Sequence, residues 1–382
     1  MNILILGGGA QGKATLFDIS NNKNFKSIKI VENNLNQIYS FVENLKDERI
    51  EIIQGDAHNK DEMLKLFKEV DIVIDLLPTI FRGIISKYAI EAKTNVVNTS
   101  FQSNIKDYAK EVKKADIIIM PESGLDPGID LVLAGYAVKQ FDIVKVLEST
   151  CGGVPEKEFC DNPLNYKISW SFESVLSAYK RPASIIVDNK RVNIDGEHIF
   201  DYCKEVEIDG IGTFERYPNG FSTTYAKFLG IRKDVQQMGR YTLRWPGHCS
   251  FWKKISQLGL LEDELVGDIS PTQFLAKILS PKLQYKDNER DLIILRNEVI
   301  GLKNGKEKKL VQQVVDKRDL KTGLMAMSRT VGFTASIIAQ MILDGRIKGE
   351  GILNPCIDVP YQEFIKELRK RNIEVKEWFE DA

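Results

Sequence analysis

Short apolar runs alternate with segments of helical length along the first 120 residues of the chain. The runs show little polar alternation, which is typical of parallel strands covered on both faces. They are Ile3–Leu6, Ile28–Val31, Ile50–Ile53, Ile72–Leu76, Asn95–Val97 and Ile117–Met120. Segments such as Lys60–Glu69 and Phe81–Ala92 lie between most of them. This order predicts a doubly wound α/β domain over residues 1–123.

The pattern changes after about Gly124, where the loops become richer in proline, glycine and aromatic residues. Two β-hairpins are predicted there because strand-like runs flank turn sequences. They are Ser184–Val187 with Arg191–Ile194 around Asp188-Asn189-Lys190, and Asp291–Leu302 with Lys309–Val315 around Asn304-Gly305. We therefore expect a mixed α+β domain with an antiparallel sheet over residues 124–321. Helical periodicity returns at about Thr322, and we expect residues 322–382 to pack back on the first domain.

Composition narrows the classes of function. Hydrophobic residues make up 43% of the 382 residues, charged residues 28%, and the net charge is −1. This balance excludes wholesale disorder, and the lack of a basic excess argues against a nucleic-acid partner. No apolar stretch approaches the roughly 18 residues of a spanning helix. The N-terminus also lacks the basic segment of a secretory signal, so we expect a cytoplasmic protein without a membrane partner.

Cysteines and histidines give little sign of a metal centre. The five cysteines form no CxxC pair, and the three histidines are scattered along the chain. We therefore expect reduced thiols and no metal site.

A glycine-rich loop follows the first predicted strand and precedes a predicted helix. The loop fits G-x-G-x-x-G and reads Gly7-Gly8-Gly9-Ala10-Gln11-Gly12. Gly7 permits the tight turn, Gly9 lets the backbone approach a pyrophosphate, and Gly12 allows close packing of helix and strand. The amides at the helix start, including those of Ala10 and Gln11, then bind phosphates. In this context the motif predicts a Rossmann dinucleotide site; the alternative is a glycine turn needed only for packing.

Glu32 ends the second predicted strand, 20 residues after Gly12. A carboxylate at this position accepts hydrogen bonds from the adenosine ribose and repels a 2′-phosphate. The spacing therefore favours NAD over NADP, unless Glu32 is only a solvated acid at a strand end. The loop also resembles the start of a P-loop, but Ala14 stands where a Mg²⁺-binding Ser or Thr is required, which argues against nucleoside triphosphate hydrolysis.

Further cofactor contacts are expected at the carboxyl ends of the next strands, where ligands bind in open α/β sheets. Asp56, followed by Ala57, could hydrogen-bond the adenine or the ribose, or could simply form a turn. Leu77 and Pro78 end the fourth strand, where the cofactor would cross the sheet, although Pro78 is equally well explained as a loop breaker.

The remainder of the chain resembles the saccharopine dehydrogenase family, in particular the glutamate-forming saccharopine reductases and the related lysine 6-dehydrogenases. The matching segments occur in the family's order over nearly the whole chain. They are Gly124–Asp130, Cys151–Pro155, Asp161–Ser171, Tyr217–Asn219, Thr242–His248 and Met327–Phe333. The resemblance implies NAD(P)-linked oxidation of a carbon–nitrogen bond of lysine or its glutamate adduct. It also implies a Rossmann domain completed by the C-terminal segment and a second domain that binds substrate and often forms a homodimer.

The resemblance also implies roles for individual residues. It places Asp126 and Cys151 as catalytic polar groups, and Ser100, Phe101, Arg244 and His248 in the substrate site. It adds Leu125 and Trp170 as cofactor contacts. Two departures are evident: Phe101 lacks the family's phenol, and Gly220 stands where saccharopine reductases carry an arginine for a second carboxylate.

From residue chemistry alone these roles keep structural alternatives. Arg244 could bind a carboxylate through its planar fork, or could form a salt bridge to an acid of the second domain. Asp126 could be a turn residue and Cys151 a small buried hydrophobe. His248 could be a proton carrier or could pack beside Trp245. Trp170 is more readily assigned to the core than to a nicotinamide contact.

These features predict a hydride-transfer enzyme that oxidises saccharopine and forms L-glutamate. The first alternative is an NAD-dependent L-lysine 6-dehydrogenase, which the lost cation at Gly220 favours. The second, from another class, is a non-catalytic NAD-binding sensor or scaffold.

Overall fold

The structure is a computed structural model that describes residues 1–101 and 105–381. The chain forms two compact units, and each of them is discontinuous in sequence. The first unit consists of Met1–Val132 and Ser328–Ile373, and the second of Leu133–Met327 and the segment that begins at Glu374.

The strands, in chain order, are β1 (Asn2–Leu6), β2 (Ser27–Glu32), β3 (Ile50–Gln54), β4 (Ile72–Asp75), β5 (Asn95–Asn98), β6 (Ile118–Met120), β7 (Ile143–Pro155), β8 (Ala183–Val187), β9 (Lys190–Ile194), β10 (Lys204–Ile208), β11 (Gly212–Pro218), β12 (Gln237–Arg244), β13 (Asp291–Lys303), β14 (Lys306–Lys317), β15 (Gly351–Ile352) and β16 (Val375–Asp381).

The α-helices are α1 (Ala10–Ser20), α2 (Tyr39–Leu45), α3 (Lys60–Lys68), α4 (Arg82–Ala92), α5 (Ala109–Lys114), α6 (Ile129–Val138), α7 (Phe172–Ala178), α8 (Thr223–Phe228), α9 (His248–Gln257), α10 (Pro271–Leu279), α11 (Ala326–Leu343), α12 (Pro355–Asp358) and α13 (Tyr361–Lys370). Short 3-10 turns occur at Leu35–Gln37, Thr79–Phe81, Lys106–Tyr108, Lys157–Phe159, Gly196–Tyr202 and Ser280–Lys282.

The first unit is built on a parallel sheet in the order β15-β6-β5-β4-β1-β2-β3. The order reverses between β1 and β4, which is the switch point of a Rossmann fold. The predicted doubly wound domain is therefore confirmed. The central strands β1 and β4 are largely apolar because both faces are covered there: Ile3, Leu4 and Ile5 in β1 are each 0% exposed.

The C-terminal part of the chain contributes β15 and most of α11 to this unit. Helix α11 packs on α1 at Gly332, where an added Cβ would lie 2.7 Å from the Gln11 carbonyl oxygen and 2.9 Å from the Ala14 Cβ. Asp18 of α1 accepts hydrogen bonds from the Arg371 guanidinium (2.6 Å) and the Ser336 hydroxyl (2.6 Å). Gly332 thus allows close packing of α11 on α1, and a partly buried ion pair joins α1 to the end of α13.

The second unit contains a sheet in the order β10-β11-β12-β7-β13-β14-β16, with the β8–β9 hairpin attached to β12. Its pairs are antiparallel, as expected, except that β12 and β7 are parallel. Residues 328–373, most of the segment expected to return, lie in the first unit. Two limits differ from the expected ones: residues 124–132 also lie in the first unit, and β16, inside the segment 322–382, pairs with β14 in the second.

Both predicted hairpins are confirmed. Asn304 (φ 52°) and Gly305 (φ 73°) turn between β13 and β14, with Lys303 paired to Lys306. The other turn is one residue shorter than predicted. Lys190 pairs with Val187, so that only Asp188 and Asn189, both with positive φ, form the turn.

One helix, α11, is long and apolar enough to cross a membrane by length and composition alone, which the sequence inspection did not predict. Of its 18-residue window, 83% is buried inside the protein, as in the core helix of a folded domain.

The contact at Gly332 makes a testable prediction. Gly332→Ala should destabilise the protein by about 1–3 kcal/mol, because its methyl group overlaps the backbone of α1. Gly83→Ala in α4 is the matched control. Its Cβ would meet only the Tyr108 hydroxyl, at 3.7 Å, so that the variant should be neutral or slightly more stable. Thermal denaturation of both variants checks this, and equal stabilities would contradict the packing argument.

Candidate active site

The glycine loop has the geometry that a bound diphosphate requires. Gly7 has a φ of 98°, and an added Cβ at Gly12 would lie 2.0 Å from the Gly7 carbonyl oxygen. Gly9 is the N-cap of α1, and an added Cβ there would meet nothing within 4 Å. The loop is thus closed on itself at Gly7 and Gly12 and open at Gly9.

The start of α1 offers donors to an anion. No acidic side chain lies in the first turn, and the cap residue Gly9 has no side chain to bond the amides of Ala10 and Gln11. The first-turn amides of a helix have no partner within the helix and carry its positive dipole end. These residues therefore fit the pyrophosphate of a dinucleotide.

Glu32 is held against the same loop. Its carboxylate accepts hydrogen bonds from the amides of Gly8 (2.7 Å) and Asn34 (3.0 Å), one on each oxygen. The side chain is half-buried at the end of β2. It is therefore a fixed acceptor beside the glycine loop and not a freely solvated acid. Residues 33–45 contain no lysine or arginine that could bind a phosphate.

Asp56 and Ala57 lie at the end of β3. The Asp56 carboxylate accepts hydrogen bonds from the amide and the ring Nδ1 of His58, each at 2.9 Å, and this lowers the pKa of Asp56. Ala57 is buried, and its carbonyl accepts a hydrogen bond from Tyr88. Asp56 therefore does form a turn, and as an exposed carboxylate it can still accept a bond from a ligand.

The end of β4 lies beside the glycine loop. The Leu76 carbonyl and the Leu77 side chain are 3.4 and 3.6 Å from a Cβ built on Gly7, and Pro78 follows. Asp75, just before them, is buried and accepts the Leu77 amide at 3.1 Å. Burial raises the pKa of Asp75 to about 7. Sequence inspection overlooked this group because Asp75 stands inside an apolar run.

Ser100, Phe101, Leu125 and Asp126 also belong to the first unit. The Ser100 carbonyl accepts the Glu122 amide at 3.0 Å, and the Phe101 carbonyl accepts a short hydrogen bond from Arg82. Leu125 is buried and Asp126 is half-buried. Asp126 stands in a tight loop that depends on Gly128, where an added Cβ would lie 1.9 Å from the Gly124 carbonyl oxygen.

In the second unit, Arg244 lies within an arginine–tyrosine cluster whose other members are Tyr166, Tyr179, Tyr217 and His248. Arg244 is 5% exposed, and its guanidinium lies 5.3 Å from the centroid of the Tyr166 ring. His248 is 1% exposed and shares a 2.8 Å hydrogen bond between its Nε2 and the Tyr179 hydroxyl.

Arg244 forms no ion pair with an acidic side chain of residues 1–101 and 105–381. Its Nη1 donates to the Leu243 carbonyl at 2.8 Å, and its Nε is buried without a partner in this part of the chain. Strand register places Glu215 opposite Arg244. The Glu215 carboxylate, however, accepts the amides of Gly247 and Cys249. The alternative of a structural salt bridge is therefore wrong for Arg244.

Burial determines the protonation states of the histidine and the tyrosines in this cluster. Burial and the nearby Arg244 charge hold the pKa of His248 well below its usual value, so that its imidazole is neutral. Burial likewise raises the pKa values of Tyr166 and Tyr179, which remain protonated. The hydroxyls of Tyr166 and Ser169 are also buried without partners in the described residues. A single cation surrounded by neutral hydrogen-bond donors is an environment suited to an anion.

A buried lysine next to Tyr166 pairs with one buried and one exposed carboxylate. Lys167, 2% exposed, binds Glu289 at 2.7 Å and Asp161 at 2.9 Å. Asn162 bonds the Tyr166 carbonyl and the Leu164 amide within the same turn. This segment carries part of the family resemblance, but no role for Tyr166 was predicted from the sequence.

Cys151 and Trp170 have less specific surroundings. Cys151 is buried in the middle of β7, between Thr242 of β12 and Leu295 of β13. Trp170 is half-buried and packs against the aromatic core that includes Phe172. This position agrees with the core assignment for Trp170. The two acid–base candidates, Asp126 and Cys151, lie in different units.

Comparison with known proteins gives matches over nearly the whole chain. Residues 3–120 match the family described as "Saccharopine dehydrogenase NADP binding domain", and residues 124–373 match "Saccharopine dehydrogenase C-terminal domain". The chain is 30% identical to the L-glutamate-forming, NADP(+) saccharopine dehydrogenase of Saccharomyces cerevisiae, over 85% of this chain and 88% of that protein.

Two further matches extend this result. The chain is 28% identical to the mitochondrial alpha-aminoadipic semialdehyde synthase of Rattus norvegicus, over 97% of this chain but only 47% of that protein, so it spans about half of that relative. The crystal structure of the apo saccharopine dehydrogenase (L-Glu forming) from Saccharomyces cerevisiae superposes with a TM-score of 0.88 and 26% identity, over 99% of both chains.

The isolated charge of Arg244 makes a prediction about stability. Arg244→Met should stabilise the ligand-free protein by about 1–4 kcal/mol, because it removes a buried charge that has no counter-ion. Arg216→Met is the control. Arg216 pairs with Glu148 at 2.7 Å, so its loss should destabilise the protein by about 1–3 kcal/mol. Thermal denaturation compares them, and an equal loss of stability in both would show that Arg244 is structural.

The raised pKa of Asp75 makes a prediction about pH. The folded protein holds a proton on Asp75 that the unfolded chain releases near pH 4. The stabilisation that comes from this proton is therefore present at low pH and is lost as pH rises through about 7. Asp75→Asn keeps a neutral side chain at every pH. Between pH 5 and pH 8 its free energy of unfolding should therefore rise by roughly 2 kcal/mol relative to that of the wild type. Asp61→Asn, an exposed control in α3, should follow the wild type, and an Asp75→Asn profile parallel to the wild type would refute the shift.

Proposed function

The chain belongs to the saccharopine dehydrogenase family, and from this premise we propose that it is a pyridine-nucleotide-dependent oxidoreductase that oxidises the carbon–nitrogen bond of saccharopine and forms L-glutamate. The observation that carries the proposal is the buried Arg244, which has an unpartnered Nε and no acidic partner among the described residues. An uncompensated buried cation is unfavourable unless a ligand supplies the anion. The names of the relatives from Saccharomyces and other fungi support the reaction type.

The first unit would bind the nucleotide. The amides at the start of α1 hold the pyrophosphate, and the open space at Gly9 admits it. When bound, the oxidised nucleotide supplies a hydride acceptor. The residues of the chain would orient the two reactants for hydride transfer and exclude bulk water, which is the main contribution of the protein to such a reaction.

NAD is the preferred nucleotide in this proposal. The Glu32 carboxylate is fixed by two backbone amides where the ribose hydroxyls would bind, and it would repel a 2′-phosphate. Residues 33–45 supply no cation to offset that repulsion. The yeast relative is named for NADP(+), so this preference is specific to the present chain.

A second buried arginine supports saccharopine over lysine. Arg240 is 4% exposed and stands on β12 four residues before Arg244, so both side chains leave the same face of the strand. Their Cα atoms are about 13 Å apart at this spacing. The backbone of Arg240 accepts the Asn219 amide at 2.8 Å, which places Arg240 beside Gly220, where the family's arginine is missing. Two cations suit a substrate with several carboxylates, whereas lysine has one.

The chemistry needs a proton carrier as well as a carboxylate site. Removal of a hydride from the carbon bearing the nitrogen leaves an imine, and water adds to that carbon before the carbon–nitrogen bond breaks. Asp126, a half-buried carboxylate in a rigid loop, is the first candidate to move these protons, and Cys151 is the second. His248, neutral beside Arg244, can orient substrate through a hydrogen bond but adds no charge.

Steady-state turnover separates the candidate functions. With saccharopine and lysine each tested against NAD and NADP, we expect saccharopine with NAD to give the highest kcat/KM, measured as formation of the reduced nucleotide. Turnover of lysine alone would support a lysine 6-dehydrogenase. Nucleotide binding without turnover of either compound would support a sensor or scaffold. Equal use of NADP would overturn only the cofactor preference.

The role of Arg240 is tested separately. Arg240→Gln should lower kcat/KM for saccharopine about 10- to 100-fold, mainly through KM, since a charge-assisted hydrogen bond of about 1.5–3 kcal/mol is lost. Arg232→Gln, an exposed arginine of the same unit that contacts Asn189, is the control and should leave both constants unchanged. An unchanged KM in Arg240→Gln would limit carboxylate binding to Arg244.

A further inference from the structure

A compact group of three potential metal ligands lies outside the substrate residues. The Cys203 Sγ, a carboxylate oxygen of Glu215 and the Cys249 Sγ all lie within 4.8 Å of one another. Cys249 is buried, and Cys203 and Glu215 are half-buried. The three side chains come from separate elements: the residue before β10, the middle of β11 and the first turn of α9.

The carboxylate of this group is already fixed in place. One oxygen of Glu215 accepts the Gly247 amide at 2.9 Å, and the other accepts the Cys249 amide at 2.7 Å. Each oxygen keeps a lone pair after these bonds. Glu215 thus caps the start of α9 and at the same time presents an oxygen to both thiols.

Two cysteine sulfurs and a carboxylate oxygen are ligands that zinc takes in proteins. A thiophilic dication binds cysteines as thiolates and releases their protons to solvent.

We propose that Cys203, Glu215 and Cys249 bind one zinc ion, with water as the fourth ligand. Tetrahedral zinc with Zn–S distances of about 2.3 Å holds two sulfurs about 3.8 Å apart, so the ligand atoms need to move by only about 1 Å. The half-exposed side of the group, at Cys203 and Glu215, admits the water. The ion and its three anionic ligands would carry a net charge of −1, and the half-exposed side of the group leaves that charge partly open to solvent.

The site would have a positioning role. It joins the residue before β10 to the start of α9, the helix whose first residue is His248 of the arginine–tyrosine cluster. A bound ion would therefore hold the imidazole against Tyr179 without taking part in the redox step. This inference does not depend on which amino acid is the substrate.

Zinc binding by the full chain, purified without a polyhistidine tag and treated with a chelator, tests the site. Calorimetric titration with Zn²⁺ should give one ion per chain with a Kd below about 1 µM. Titration with Co²⁺ should give the absorption band of thiolate-to-cobalt charge transfer. Cys203→Ser and Cys249→Ser should each weaken zinc binding at least about 100-fold. Cys160→Ser, which alters another half-buried thiol, and Cys356→Ser, which alters another buried thiol, should bind zinc as the wild type does.

Circular dichroism of each variant establishes that it is folded. Failure of the wild type to bind zinc stoichiometrically would overturn the proposal, as would unchanged affinity in a folded Cys203→Ser/Cys249→Ser variant. A Cys203–Cys249 disulfide in the peptide map of freshly purified protein would also overturn it. Each of these measurements reads metal binding or thiol state and not saccharopine turnover, so a failure of the zinc site is distinguishable from a failure of the proposed function.

Discussion

A buried guanidinium without a counter-ion is the constraint on which the second unit depends. Arg244 has lost its hydration, and the nearest acid in strand register, Glu215, bonds the start of α9 instead. Three tyrosines and a neutral histidine surround the charge, and none of them carries a negative charge at neutral pH. Such an arrangement costs stability in the free protein, and in the proposed function a bound carboxylate would restore it.

The proposed nucleotide site in the first unit depends on backbone groups and not on a buried charge. Here the backbone supplies the chemistry, through the amides at the start of α1, and side chains supply only selectivity. Gly7 and Gly12 close the turn, and Glu32 is held by two amides at the position that decides between a hydroxyl and a phosphate. In the proposed function, the first unit would thus recognise its ligand by shape and dipole, and the second by a localised charge.

The features that could be predicted from the sequence are those formed by residues close together in the chain. The glycine loop, Glu32 and the Asn304-Gly305 hairpin are local features whose residue types determine the backbone geometry, and all three lie where they were expected. Features made by distant segments could not be read in this way. Tyr166, Tyr179 and Tyr217 meet Arg244 only because strands and turns far apart in sequence pack together. The same holds for Cys203 and Cys249, and for the burial of Asp75. The parallel pairing of β7 with β12 and the assignment of β16 to the second sheet depend on topology and leave no periodic signal.

The discontinuity of the first unit has a consequence for biosynthesis. Strand β15 and most of α11 are synthesised only after the inserted residues 133–327, although β1 to β6 are synthesised before them. Until then the face of α1 at Gly332, and the edge of β6, have no covering partner. The nascent nucleotide domain therefore stays incompletely folded, and accessible to chaperones or to neighbouring chains, while the domain inserted within it is translated.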